Sequence, residues 1–501
     1  MSERGAYELE DVVGSADELD SRIVRGSAWV AVSYGGRNLV TLVTMLALVR
    51  LLEPHAFGLV ALASVVLIIC NQVQDAGTAA ALVYRRNDVE RAAGTTLVFS
   101  TLSSLVLYGA AFAVAPFVAR IFHAPELTEV LRVMALMLPV RGIGATPSAI
   151  LERNIDFRRR AKCDVSGALA QAAFALSLAV GGAGVWSLVV GQLAGTVVQA
   201  AIGWLVVPWR PNPRLASFTL WREMLRYGRF VSGTNVVNLV NNTIDNVLVG
   251  RLLGATTLGF YAVSFRLADF PNTVIAHIVG RVMFPVYSLL QGELDRFRRA
   301  YIQNLQRIAI FALPVSVTIV VAADPIVHTI FGDRWAAIIT PLRILGIYGL
   351  IKSFSAPSGE VFKGAGRPHL GLVFGLLQVA IALPTLLLLV PAYGITGAAV
   401  GMLVNMTVVG SVRLLVSLRL VGATVGGLAR SLAPSVLCAG VLAATLAALM
   451  PAAEMLSDAA GLALLVGGAT AAYVGAILAF ARSVVGPLWG GLRGVGASVT
   501  R

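Results

Sequence analysis

The chain has 501 residues, of which 57% are hydrophobic and only 13% charged. A sequence so apolar excludes a set of soluble domains and reads as an all-α polytopic membrane protein. Its net charge of +13 is carried mostly by arginines on one side of the predicted spans, which leaves no ground for a nucleic-acid partner.

In chain order, the first 26 residues are acidic and lack a cationic stretch followed by a cleavable apolar core. They predict a cytoplasmic arm rather than a signal peptide. A window of ~20 residues, enough to cross ~30 Å of hydrocarbon, then finds about fourteen transmembrane helices. The first six are Ser27–Leu48, Gly58–Gln74, Gly94–Phe117, Val130–Leu151, Val165–Ala183 and Val185–Val207. The next six are Phe230–Leu252, Leu258–Met283, Ile308–Ala323, Leu342–Phe362, Gly371–Val390 and Ile395–Leu415. Ala433–Met450 and Gly461–Phe480 complete the set. The predicted organisation is a first lobe over 27–207, a cytoplasmic linker over 208–229, a second lobe over 230–416, and two extra helices with a cytoplasmic tail over 417–501.

The arginines orient these spans. With a cytoplasmic N-terminus, the inside segments hold Arg85, Arg86, Arg91, Arg153, Arg158, Arg159, Arg160 and Lys162, then Arg210, Arg214, Arg222, Arg226 and Arg229, and later Arg281, Arg296, Arg298, Arg299 and Arg307. The opposite side receives Arg50, Arg120, Arg132, Arg251, Arg334 and Arg343. This asymmetry predicts a multi-pass protein of the cell inner membrane with both termini in the cytoplasm.

The two lobes repeat each other. Arg50-Leu51-Leu52 and Arg251-Leu252-Leu253 lie 201 residues apart, as do Gly58 and Gly259. Further on, Pro116-x4-Ile121-Phe122 matches Pro325-x4-Ile330-Phe331, Arg132 matches Arg343, Pro147-Ser148 matches Pro357-Ser358, and Gly184 with Gly191 matches Gly394 with Gly401. Six helices per unit is an even number, so both units enter the membrane from one side, related by an axis along the membrane normal.

The seventh span is the most informative stretch. Asn235, Asn238, Asn242 and Asp245 recur every three or four residues within an apolar run, which draws a polar stripe along one helical face. Hydrocarbon cannot face such a stripe, so it should line protein or water. Shifted by the repeat, the stripe falls on Tyr34, Arg37, Thr41 and Thr44 of the first span. Matching polar faces on two lobes predict a central aqueous cavity. Ionisable groups inside spans cost ~2.5–3.5 kcal/mol each at mid-helix; here they are Arg37, Arg141, Asp245, Arg266, Asp269 and Lys352. Arg141 falls on Lys352 in the repeat. One reading is a cationic cavity for an anionic cargo. The other is structural pairing, with Arg266 and Asp269 three apart on one helix and Asp245 neutralising Arg37. Glu360 and His277 read as helix-end or packing residues, and Cys70, Cys163 and Cys438 as structural filler.

Several motifs resemble one family. They are Arg50-Leu51-Leu52-Glu53-Pro54-x-x-Phe57-Gly58, the run Pro147-x-Ala149-x-Leu151-x-Arg153 ending in Phe157-Arg158-Arg159, Asp245-Asn246-x-x-x-Gly250-Arg251-Leu252-Leu253-Gly254, and Phe331-Gly332-x-x-Trp335. Over about residues 25 to 420 the chain resembles the polysaccharide transporters, the Wzx-type oligosaccharide flippases of the multidrug/oligosaccharidyl-lipid/polysaccharide exporter superfamily, in their colanic-acid-exporter branch. The resemblance implies movement of undecaprenyl-pyrophosphate-linked oligosaccharide for capsule, exopolysaccharide, lipopolysaccharide or O-antigen assembly, in partnership with a polymerase and chain-length machinery. It also implies a role for Arg37 and Arg266, because related lipid II flippases hold the pyrophosphate with arginines on their first and eighth helices. The substrate-binding set is then Arg37, Arg266, Asn235, Asn238, Asn242, Asp245, Arg141 and Lys352. No metal and no cofactor is expected.

Enzyme readings lack their motifs: the sequence has no Walker A element, no G-x-S-x-G, no H-E-x-x-H and no D-x-D. Two rival readings stay open. One is a drug or cation exporter of the same superfamily, whose members usually have twelve helices and acidic coupling residues. The other is a membrane enzyme or scaffold of polysaccharide assembly without transport of its own.

Overall fold

The structure, a computed structural model, describes residues 35–74, 82, 88–154, 156–208, 210, 212–290 and 292–480. The acidic arm, the start of the first span with Tyr34, Arg85 and Arg86, and the end of the tail lie outside the described residues. Every regular element among the described residues is helical. By contact the chain divides into two compact units, one up to Thr256 and one from Thr257 on.

The first unit contains α1 (35–51), α2 (Pro54–Gln74), α3 (Val89–Ile121), α4 (Leu127–Ala135), α5 (Met137–Arg153), α6 (Phe157–Val180), α7 (Val185–Val206) and α8 (Phe218–Leu253). Pro54 opens α2, where a missing N–H costs nothing because the first-turn donors have no helical acceptor. The carboxylate of Asp156 caps α6 by accepting from the Arg159 backbone N–H at 3.0 Å. Small residues bring α6 and α7 together: a Cβ on Gly191 would lie 2.7 Å from that of Ala175, and one on Gly195 would lie 2.8 Å from the Gly167 carbonyl oxygen. Such close approach is how helices associate where no hydrophobic contrast with solvent exists. α8 begins inside the predicted linker. Ser217 caps it, and Trp221 stacks on Phe99 of α3 with ring centroids 4.8 Å apart, so its first turns pack on the bundle and continue without interruption into the seventh predicted span.

The second unit contains α9 (Ala255–Leu289), α10 (Leu294–Val321), α11 (Ile339–Ser355), α12 (Ser358–Gly364), α13 (His369–Leu420), α14 (Val425–Glu454) and α15 (Asp458–Phe480). α13 covers two predicted spans and turns at Gly394, whose φ of 59° and ψ of −139° are not helical. α14 and α15, outside the sequence repeat, dock on α10. Tyr473 donates its hydroxyl to the Ile310 carbonyl at 2.7 Å, and Gln306 donates to the Ser431 carbonyl at 3.0 Å. Between them, Leu442, Leu446, Leu465 and Ala469 form a buried cluster against Val317 and Val321.

Where their residues are described, the predicted spans overlap helix. Ten helical stretches among the described residues are long and apolar enough to cross a membrane, so this is a multi-pass helical membrane protein. Left-handed backbone recurs at matched places in the two units: Asp88 before α3 and Gly292 before α10, His123 after α3 and Gly332 at the bend that precedes α11, Gly184 before α7 and Gly394 inside α13. Gly184 has φ 56° and ψ −128°, close to the values at Gly394. At these two positions only glycine avoids the Cβ clash.

Candidate functional site

The polar stripe resolves into groups that satisfy themselves and groups that do not. On α1, Thr41 donates its hydroxyl to the Arg37 carbonyl at 2.9 Å, and Thr44 donates to the Val40 carbonyl at 2.6 Å. Both threonines are therefore content inside a helix and need no water. Arg37 itself is exposed, and its guanidinium has no ion pair among the described residues, so the suggested Arg37–Asp245 pairing is not formed there.

α8 shows the same division. Asn241 and Thr243 bond back to the carbonyls of Val237 and Leu239 at 3.1 and 2.7 Å. Asn238 and Asn242, one turn apart on the stripe, are exposed. Asp245, next on that face, is only 2% exposed, and its carboxylate accepts from the Asn246 N–H at 2.8 Å. The side chain of Asn235 lies outside the described residues. If the Asn238 and Asn242 face is wet, cysteines at those two positions react with a membrane-impermeant thiol reagent, and one at Val240 reacts several-fold more slowly. The native Cys70, Cys163 and Cys438 are buried and free, which keeps the background low. Equal rates at all three positions count against an aqueous lining.

In the second unit the cations differ in their surroundings. Arg266 on α9 is exposed. Lys352 on α11 pairs with Asp269 of α9 at 3.0 Å, with side-chain exposures of 25% and 17%. Asn272 and Thr273 donate to the same carboxylate at 3.1 and 3.3 Å. The Lys352 ammonium also lies 5.5 Å from the ring centroid of Tyr348 and 5.6 Å from that of Phe265, a geometry in which ring faces attract a cation. Gly349 permits the approach, since a Cβ there would sit 2.3 Å from the Ala268 carbonyl oxygen. Asp269 thus takes its ion-pair partner from another helix.

The repeat offset is 211 residues between Arg141 and Lys352 but 201 between Gly58 and Gly259, and this earlier offset puts Ile68 in the place of Asp269. Arg141 lines a cavity of about 100 Å³ in the first unit with Ser64, Ile68, Asn71 and Gln192. The cation is kept in both units, while the carboxylate at the aligned position belongs to the second unit alone.

Arg413 of α13 escaped the sequence reading. Its guanidinium carbon lies 5.9 Å from the Phe362 ring centroid, its Nε is buried without a hydrogen-bond partner, and a Cβ on Gly359 would come 3.0 Å from its Nη2. The signal was a lone arginine near a span end, where arginines usually bend toward water; here the side chain is folded inward.

The sequence matches the family described as polysaccharide biosynthesis protein over residues 47–340, more than half of the chain. It is 22% identical over 392 residues to the lipopolysaccharide biosynthesis protein WzxC of Escherichia coli, covering 77% of this chain and 78% of that one. It is 26% identical over 350 residues to the succinoglycan biosynthesis transport protein ExoT of Rhizobium meliloti, covering 69% and 70%. Among solved structures, an inward-facing multidrug resistance MATE family transporter of the MOP superfamily aligns with a TM-score of 0.63 at 19% identity, over 80% of this chain and 98% of that one. The lipid II flippase MurJ, in an inward closed conformation, aligns with a TM-score of 0.62 at 14% identity, over 94% and 98%. At these identities the two structures establish the fold.

Proposed function

The chain belongs to the family described as polysaccharide biosynthesis protein, and from that premise we propose that it is a flippase for undecaprenyl-pyrophosphate-linked oligosaccharide. It carries the repeat unit from the cytoplasmic to the periplasmic leaflet of the inner membrane. There a polymerase and its chain-length machinery join the units into exopolysaccharide, capsule or O-antigen. The fold it shares with a lipid II flippase and the transport role in a relative's name support this reading.

The observation that carries the reading is Arg37: an exposed guanidinium without an ion pair among the described residues, inside a predicted membrane span. A cation kept in such a segment is expensive unless it meets an anion. A pyrophosphate diester supplies that anion, and the planar fork of a guanidinium matches its oxygens without any change of protonation. Arg266 is the second candidate, with Asn238 and Asn242 offering neutral hydrogen bonds to the passing sugar. The polyprenyl tail stays in lipid. Fourteen crossings in two six-helix repeats with two helices added give the frame for alternating access, and the matched left-handed residues in the two units support the repeat.

Reconstituted vesicles test the proposal. Protein-dependent movement of lipid-linked oligosaccharide between leaflets is the expected result; extrusion of a cationic dye with no lipid movement gives the molecule to the drug-exporter reading. The orientation has its own check. A reporter active only in the periplasm should be silent after Arg160 or Arg222 and active near Asp333, and the opposite pattern overturns the assignment of both termini to the cytoplasm.

A further inference from the structure

A recess of about 340 Å³ opens between the N-terminal turns of α10 and the start of α14. It is lined by Arg298, Arg299 and Gln303 on one wall, Thr424 and Ser431 on the other, and Ile302 and Leu428 toward the inside. The two walls are well fixed relative to each other. Arg298 donates to the Gly422 carbonyl at 3.3 Å and pairs with Asp295 at 2.7 Å, while Gln306 bonds Ser431 one turn further in. Arg299 is exposed and has no ion pair among the described residues.

Three features select the occupant. Charge comes first: two guanidiniums and no carboxylate are among the described residues that line the recess, and the exposed Asp295 beside it is bound to Arg298. The second is the opening of α14. Thr424 caps it by accepting from the Gly427 N–H at 3.1 Å, and the glycines at 426 and 427 leave the first-turn backbone uncovered, so the positive end of a long helix adds to the arginines. The third is the rim. Leu294 is 53% exposed and Val425 57% exposed beside these charges, an apolar edge that suits acyl chains and not a free ion.

Position agrees with chemistry. Ser431 lies just before the predicted span that starts at Ala433, and Thr424 lies about two turns further out, ~11 Å along the helix at 1.5 Å per residue. Arginine side chains reaching toward the bilayer cover part of that distance. The recess therefore sits at headgroup level, between the repeat and the two added helices.

We propose that this recess binds the phosphate of an anionic membrane lipid such as phosphatidylglycerol, with Arg299 and Arg298 as its cationic ligands and its acyl chains along Leu428 and the exposed face of α14. The lipid then ties α14 and α15 to α10. This site is separate from the residues proposed to meet the cargo, and its test does not depend on transport.

Native mass spectrometry of the full chain in detergent, titrated with phosphatidylglycerol or phosphatidylcholine, reads the site directly. Phosphatidylglycerol should bind several-fold more tightly than phosphatidylcholine. An arginine near an anionic headgroup contributes about fivefold, so Arg299→Gln should weaken phosphatidylglycerol binding about fivefold, and adding Arg298→Gln, whose charge Asp295 partly offsets, should add a smaller further loss. Arg299→Lys should keep most of the affinity. Arg296→Gln, an exposed neighbour paired with Glu293, should change nothing. Equal binding of the two lipids, or an equal loss in Arg296→Gln, overturns the proposal. Binding of glycerol phosphate at the same concentration as the lipid assigns the recess to a soluble phosphate and overturns the lipid reading.

Discussion

Vesicles containing Arg37→Ala are expected to move lipid-linked oligosaccharide about 10²–10³-fold more slowly than wild type, at unchanged protein level. The size follows from the role proposed for the guanidinium. Hydrogen bonds to charged groups contribute ~1.5–3 kcal/mol each, and a bidentate contact to phosphate makes two of them. Losing ~3–4 kcal/mol of barrier lowering corresponds to that range of rate. Arg37→Lys should recover all but about tenfold, because charge survives and the planar fork is lost. Arg266→Ala should show a similar defect. Two charges crossing outward in an inside-negative membrane are favoured by ~4.6 kcal/mol at 100 mV, so an imposed potential of that sign should accelerate the wild type. On the proposed mechanism the variants lack a barrier-lowering cation, not a driving force, so they should stay slow under the same potential. Normal rates in both alanine variants, with normal levels in the membrane, would remove the cationic-cavity mechanism.

The sequence made the helices legible because most spans carry an apolar run long enough to cross hydrocarbon by itself, a property that needs no tertiary information. It did not reveal that α8 starts at Phe218, because those first turns mix Arg222 and Glu223 with Phe218 and Trp221, and only the Phe99 contact shows their apolar side to be covered. The stripe was legible as spacing, yet spacing cannot tell a threonine that bonds back to its own helix from one that faces water. Thr41 and Thr44 are of the first kind. Period alone also could not show that Asp245 is buried while Asn242 is exposed, since packing against one end of a helix changes along a single face. The partner of Asp269 was hidden for a plainer reason. Local pairing rules reach three or four residues along a helix, and Lys352 comes from a different helix altogether.

That ion pair gives the second large effect. Asp269→Asn is expected to lower the thermal stability of the protein by roughly 3 kcal/mol, because removing one member of a mostly buried pair leaves its partner uncompensated. Tyr348 and Phe265 still hold the ammonium by their faces, which recovers only about 1 kcal/mol. Replacing both charges, as in Lys352→Met with Asp269→Leu, should restore most of the loss, since apolar pairs of similar volume often match a buried salt bridge. A residual deficit near 1 kcal/mol is expected from Asn272, which loses its acceptor, whereas Thr273 can keep its bond to the Asp269 carbonyl, already 3.1 Å away. The double variant also decides what Lys352 is for. A lysine neutralised by a carboxylate at 3.0 Å offers little net charge to a pyrophosphate, so transport by the double variant should stay within severalfold of wild type while Arg37→Ala stays about 10²–10³-fold slower. If stability returns and transport does not, Lys352 leaves Asp269 during the cycle to hold the cargo, and the ion pair is the resting state of a binding group.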